Sequence, residues 1–386
     1  MGNNLDQNIK ITNEDKLLIL CARTQLNPEI KSKLIKLFHS DLDWDYLIQR
    51  AFQHKLTPLL YWNLKEFKEE VPENVLKCFK ESFNRNVKKN LLMLGELLKL
   101  VNLFEKHGLN VIPYKGPLLA IYAYKNLALR QFDDLDIFVD KNDVLKVKEI
   151  LISYGYNPQF ELKGFKEKRF IKSQREYKFK NPETNISLEV HWQFQGVSFS
   201  LSNDPLFLGD PENVEIVKIS NKEISSLSPE NMLLILCIHA SGHYWDRLSW
   251  ICDVSELIQS YEINWEYIFE KADKLGIKRL ILVNLCLAVD LLDLNLPNTI
   301  HQHLESTTIQ YLTFKVKKRI FMPNYDSLFQ MADIRFNIRE KRSHRIKDFL
   351  KIMFLPTNEE WDKSSLKSFF PPFSYFYRFI QVLTNY

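Results

Sequence analysis

From residue 13 to about 103, apolar residues recur at three-to-four-residue spacing, as expected of helices that each bury one face. LLILCA (17–22) begins such a face and KLIKLF (33–38) continues the rhythm. After Trp44, the positions Tyr46, Leu47, Ile48 and Ala51 repeat it. Pro58 and Pro72 stand where new helices begin, since a first turn does not need the N–H that proline lacks. LLMLGELLKLVNLFEKHG (91–108) predicts an amphipathic helix that stops at Gly108. Residues 1–12 are polar and read as a loose tail.

The period then changes. LNVIPYK (109–115) reads as a strand, followed by a turn at Gly116 and a helix. RQFDDLDIFVD (130–140) is a second strand, and residues 142–154 form a helix. YKFKN (177–181) and ISLEVHWQF (186–194) alternate with period two, and Pro182-Glu183-Thr184-Asn185 joins them as a hairpin. Residues 196–226 form a polar excursion with short strands. From residue 228 the chain is helical again, with Ser228 as a cap. Helices continue through 265–292 and 300–355, and SSLKSFFPPFSYFYRFIQVL (364–383) places a Pro-Pro break before an aromatic helix. One weak internal echo aligns 44–64 with 265–285 without gaps, including Asn63 with Asn284. It reads as two helical hairpins with similar packing needs.

Composition narrows the fold class. Ten glycines in 386 residues is few, which argues against a turn-rich all-β chain, and 45% apolar residues are ample for real cores. The expected architecture is α+β and mostly helical. A small mixed β-sheet core over 107–215 is flanked by an N-terminal helical region (1–106) and a C-terminal helical domain (216–386). A net charge of +4, from 52 basic and 48 acidic residues, is too balanced to make nucleic acid the default partner. Cys21, Cys78, Cys237, Cys252 and Cys286 stand far apart with no CxxC, so free thiols in a reducing compartment are expected. No apolar run approaches the length of a membrane span and no signal peptide is seen, so the chain reads as cytoplasmic with no membrane partner.

The candidate chemistry lies in the middle strands. Asp134 and Asp136 are two residues apart in a strand, so they project together while Leu135, Ile137 and Val139 enter a core. Two adjacent carboxylates repel unless a cation sits between them, and Mg²⁺ is the usual oxygen-preferring choice. In the later strand, Glu189, His191 and Gln193 share one face, and Leu188, Val190 and Trp192 the other. Asp133 points away from its neighbouring pair.

Taken in order, Lys115-Gly116, Arg130, Asp134-Leu135-Asp136 and Glu189-Val190-His191-Trp192 resemble the nucleotidyltransferase superfamily of the DNA polymerase β type. More narrowly, they are similar to a microbial nucleotidyltransferase family with the pattern Lys-Gly…Arg…Asp-x-Asp…(Asp/Glu)-x-His-Trp. LCIHASGHYWDRLSWICDVSELI (236–258) resembles that family's helical His…His…Trp-x-x-Asp segment. The chain departs from the superfamily at Pro117, which removes a backbone donor from the usual phosphate turn.

The resemblance implies transfer of an NMP group from an NTP, ATP by default, to an acceptor hydroxyl on a small molecule, peptide or protein. Two Mg²⁺ ions, with Mn²⁺ as substitute, would bridge Asp134, Asp136 and the triphosphate. Glu189 would complete the ion nearer the acceptor and help remove its proton. Lys115, Gly116, Arg130, His191, His239 and His243 are the expected substrate-binding residues. Arg130 reads equally as half of a plain salt bridge, and His191 as a packed, satisfied histidine. His239 and His243, one helical turn apart, are expected to line or brace the cleft wall with Arg247 and Asp253. The alternatives are a nucleotide-sugar-dependent transferase on the same metal site and a non-catalytic nucleotide-binding module. The basic segment 163–180 is expected as a solvated hairpin flank or a lip that guides phosphates, and 335–347 as a basic helix.

Overall fold

A computed structural model describes residues 9–193, 214–219, 221–322 and 328–354. Side-chain caps set most of the early helix starts. Thr12 Oγ1 accepts from Asp15 N–H (3.2 Å) to open α1 (Asn13–Cys21), and Asn27 accepts from Ile30 N–H (2.8 Å) to open α2 (Pro28–Phe38). Asp43 does the same for α3 (Trp44–Gln53). Pro58 lies in the first turn of α4 (Thr57–Leu64), and Pro72 precedes α5 (Glu73–Lys106), a 34-residue helix released at Gly108 in the left-handed region (φ +67°). Residues 9–12 depart from the expected loose tail: Ile9 and Ile11 pack on the helical core, and Thr12 is a cap, while residues 1–8 lie outside the described residues.

The sheet follows. Its strands are β1 (Val111–Tyr114), β2 (Asp134–Val139), β3 (Asn157–Pro158), β4 (Glu176–Lys180) and β5 (Ser187–His191), in spatial order β1-β2-β5-β4-β3. β2 and β5 are parallel; β1 on β2, β4 on β5 and β3 on β4 are antiparallel. The register places Tyr114 and Glu189 on either side of Asp136, and His191 beside Phe138. Helix α6 (Gly116–Tyr122) follows β1, and α7 (Val144–Ser153) lies in the crossover from β2. Leu135, Ile137, Val139, Leu188 and Val190 enter one apolar cluster with the second half of α5 and the inner face of α7. The opposite face carries the polar residues.

Residues 164–173, expected as a hairpin flank or a lip, form helix α8 (Gly164–Ser173) just before the β4–β5 hairpin. Phe170 and Ile171 are buried, Lys168 and Lys172 are exposed, and Lys166 and Arg169 are half-buried. Hairpin β6 (Val214–Ile219)–β7 (Lys222–Leu227) packs beside β1; most of the expected polar excursion lies outside the described residues.

The C-terminal helices are α9 (Pro229–Gly242), α10 (Leu248–Ser260), α11 (Trp265–Leu275), α12 (Lys278–Leu292), α13 (Asn298–Leu304), α14 (Thr307–Phe321), α15 (Leu328–Ile338) and α16 (Arg342–Phe354). Ser228 caps α9 as expected. The helical run from 228 breaks where Tyr244 and Trp245 take positive φ, +54° and +52°. Trp245 is buried, and its indole N–H donates to Asn284 Oδ1 (2.8 Å). The echo between 44–64 and 265–285 corresponds to α3–α4 and α11–α12, and its shared asparagine has a shared duty. Asn63 donates to the carbonyls of Cys21 and Arg23, and Asn284 to those of Cys237 and Leu280. The basic stretch 335–347 is split between α15 and α16, because Arg339 is buried between Asp348 and the Gly276 carbonyl. The Pro-Pro segment 364–383 lies outside the described residues. All five cysteines are free, and four are buried. No helix among the described residues is long and apolar enough to cross a membrane.

Candidate active site

Strand alternation aims Asp134, Asp136, Glu189 and His191 from one face of the sheet into a cleft of about 460 Å³. Lys55 lines it from the N-terminal helices, and His239, His243 and Trp250 from α9 and α10.

The turn after β1 is strained. Lys115 sits at φ +52°, ψ −141°, a conformation few residues with a side chain adopt, and Gly116 follows at φ +40°. This turn carries the Lys115 ammonium to 3.6 Å from Asp136 Oδ1 and 3.4 Å from His239 Nδ1. Pro117 stands in the first turn of α6, where its missing N–H costs the helix nothing.

The acids differ sharply in their surroundings. Asp136 is buried, which disfavours its charge, yet Lys115 and a hydrogen bond from His191 hold it below the usual carboxylate range. Glu189 faces the same burial and is likewise held low, by His191 and Lys178. His191 Nε2 lies 3.1 Å from Asp136 Oδ1 and 3.3 Å from Glu189 Oε2, and its Nδ1 lies 3.5 Å from Glu176 Oε2. Although burial opposes its charge, these carboxylates raise its pKa and keep it an imidazolium. Asp134 is the exception. Its side chain has no hydrogen bond or ion pair among the described residues. Burial, Asp136 and Glu189 together push it up to about 6. Asp133 turns away from the pair to Lys55 and Lys89, which hold it down to about 2 against partial desolvation.

One oxygen or nitrogen from each of Asp136, Glu189 and His191 lies within 4.8 Å of the others. The expected metal set was Asp134, Asp136 and Glu189; the structure gathers Asp136 and Glu189 with His191, and Asp134 stands beside that group on the same face. Arg130 lines the cleft and forms the salt bridge that was the second of its two expected roles. The Arg130 guanidinium pairs with Asp253 of α10, Nε to Oδ1 at 2.8 Å and Nη2 to Oδ2 at 2.9 Å, with Nη1 3.5 Å from the Gly116 carbonyl. Tyr124 donates to the same Asp253 (2.7 Å). The His239 and His243 rings are 4.8 Å apart, and the Trp250 ring lies 5.2 Å from the first and 5.0 Å from the second. Partial desolvation in the cleft, then the Lys115 charge, lower the pKa of both histidines, most at the half-buried His239 and less at the more exposed His243.

Sequence reasoning missed Glu176 and Lys178. The signal was present: counting back through the β4–β5 hairpin pairs Glu176 with His191 and Lys178 with Glu189. Lys55, at positive φ in the turn between α3 and α4, carried no such signal.

Residues 40–293, well over half of the chain, match the family model described as "uncharacterised nucleotidyltransferase", and that span contains every residue of the cleft. No curated protein matches. One solved structure, of the lincosamide antibiotic adenylyltransferase LnuA bound to lincomycin, aligns at 18% identity and a TM-score of 0.30, covering 43% of this chain and 97% of its own. A likeness that slight carries no argument.

Proposed function

The chain belongs to the uncharacterised nucleotidyltransferase family, and we propose that it transfers an NMP group from an NTP, ATP by default, to an acceptor hydroxyl, with Mg²⁺ held by Asp134, Asp136 and Glu189. One observation carries the reading. Asp136 and Glu189 stand in register on adjacent parallel strands, with Asp134 on the same face and without a side-chain hydrogen bond or ion pair among the described residues. A carboxylate so placed, pushed up by burial and then by two like charges, suits an oxygen-preferring divalent cation. When bound, that cation supplies charge neutralisation for the phosphate oxygens and acidifies the acceptor hydroxyl.

The protein's own groups do the rest. Lys115, fixed by its strained turn, holds a phosphate oxygen beside Asp136. Arg130 and Asp253 brace that turn through the Gly116 carbonyl. His191 keeps Asp136 and Glu189 facing one another across its Nε2–H. The acceptor oxygen bonds to the α-phosphorus as the bond to the bridging oxygen breaks. Pyrophosphate leaves with that electron pair, and the acceptor proton is released to solvent.

The test uses purified protein, Mg²⁺, each α-labelled NTP and a cell lysate as the source of acceptors. Label is expected to enter a protein or small molecule with the wild type and not with Asp134→Ala/Asp136→Ala. Nucleotide binding without transfer in any fraction would overturn the reading in favour of a binding module. Nucleoside diphosphate released from a nucleotide sugar would overturn it in favour of sugar transfer.

A further inference from the structure

We propose that the wall formed by His239, His243 and Trp250 seats the nucleobase of the NTP, while the acceptor enters over Glu189 and β4. The inference rests on the nucleotidyltransferase reading and adds which side of the acids each substrate occupies.

Sheet order supplies the first argument. Across the cleft floor run β1, β2, β5 and β4 in that order. The phosphate-holding Lys115 follows β1, the two aspartates lie on β2, and Glu189 lies on β5. Lys115 touches the wall directly, through His239. A nucleotide whose phosphates reach Lys115 therefore has its sugar and base beside His239. Beyond Glu189 the floor is charged, with Lys178 and Glu176 paired along β4. An uncharged base has no counterpart there, and a polar acceptor does.

The chemistry of the wall supplies the second. It presents three π-systems with ring centres about 5 Å apart, and the Arg247 guanidinium lies 5.4 Å over the Trp250 ring. Lys115 donates to His239 Nδ1, so that ring carries its proton on Nε2. Neither histidine has another side-chain hydrogen bond among the described residues, and both line the cleft. Neutral rings with unused donors and acceptors match a planar heteroaromatic edge, as bases stacked on aromatic side chains do elsewhere.

Calorimetry on the full-length protein with Mg²⁺ tests this. The probes are the α,β-methylene analogues of the four NTPs and inorganic tripolyphosphate. Trp250→Leu is expected to weaken the tightest-binding analogue roughly 5- to 100-fold and leave tripolyphosphate unchanged. His243→Ala, at the cleft mouth, is expected to act in the same direction and keeps the test open should Trp250→Leu fail to fold. The inference is overturned if both variants bind the analogue as the wild type does, or lose both ligands in parallel. It is also overturned if the wild type binds the analogue no tighter than tripolyphosphate. A wild type that binds no analogue and transfers no label sinks the nucleotidyltransferase reading itself, whereas active protein with unaffected variants sinks only the base site.

Discussion

Arg130 and Asp253, 123 residues apart in sequence, meet through two parallel N–H···O bonds in a bidentate pair, with Asp253 buried and Arg130 largely covered. Asp253→Ala leaves that guanidinium without its counter-charge in the protein interior. We expect a loss of about 3–5 kcal/mol in urea unfolding. Arg130→Met combined with Asp253→Leu should recover part of that loss. A loss near zero for Asp253→Ala would mean that the pair does not brace the turn above it.

Asp134 is expected to trade stability for chemistry. Its folded pKa, about 6, lies above the ordinary carboxylate value. The folded state therefore favours the protonated form, and stability is lost as pH rises from about 4 to about 6. Above that window Asp134→Asn should be more stable than the wild type, on the order of 2 kcal/mol in metal-free buffer. Label transfer should fall roughly 100-fold or more. Mg²⁺ should raise the melting temperature of the wild type and not of the variant. Equal stability of the two proteins at pH 8 would contradict this account.

Lys115 allows backbone strain to be separated from charge. Lys115→Ala and Lys115→Gly both remove the ammonium, and only glycine is at ease at φ +52°, ψ −141°. The glycine variant should therefore exceed the alanine variant by about 1–3 kcal/mol in chemical denaturation, while both lose nucleotide affinity. If alanine is the more stable, the turn carries no strain.

His54 should make the fold acid-sensitive. It is fully buried, and its Nδ1 accepts the Leu248 N–H (3.2 Å), which fixes the neutral ring. Burial, then the Arg50 and Arg247 charges, lower its pKa to about 3. Above the unfolded value of about 6.5 neither state binds the proton. Below it the unfolded chain binds one first, so stability falls as pH drops from about 6.5 towards 3, by at most about 1.4 kcal/mol per unit. His54→Asn should flatten that slope in urea melts at pH 7.5, 6.0 and 5.0. An unchanged slope would assign the acid sensitivity to other groups.

What was legible in the sequence was local. Period-two alternation located β2 and β5 and the face shared by Asp134, Asp136, Glu189 and His191, because alternation needs no knowledge of partners. Caps at Ser228 and Gly108 likewise act within one turn. What was missed depended on distant contacts. Residues 244–245 break the helical run because Asn284 holds Trp245. Arg130 reads equally as a phosphate ligand or half of a salt bridge, and nothing near it in sequence announces Asp253 as the partner. The basic residues of 164–173 drew attention to charge, while Phe170 and Ile171 decided the helix.

The pairing of β2 with β5 has a consequence for how such a chain can drift. Each step along β5 alternates between the cleft and the apolar layer, so Glu189 and His191 hold their places only while residue parity is kept. A single insertion or deletion within β5, or in the 182–185 turn that sets its register on β4, would send both into the core and deliver Leu188 and Val190 to the substrate. The connection through α7, β3 and α8 is under no such arithmetic. Relatives should therefore differ freely in the length of that crossover and change the strands only by substitution.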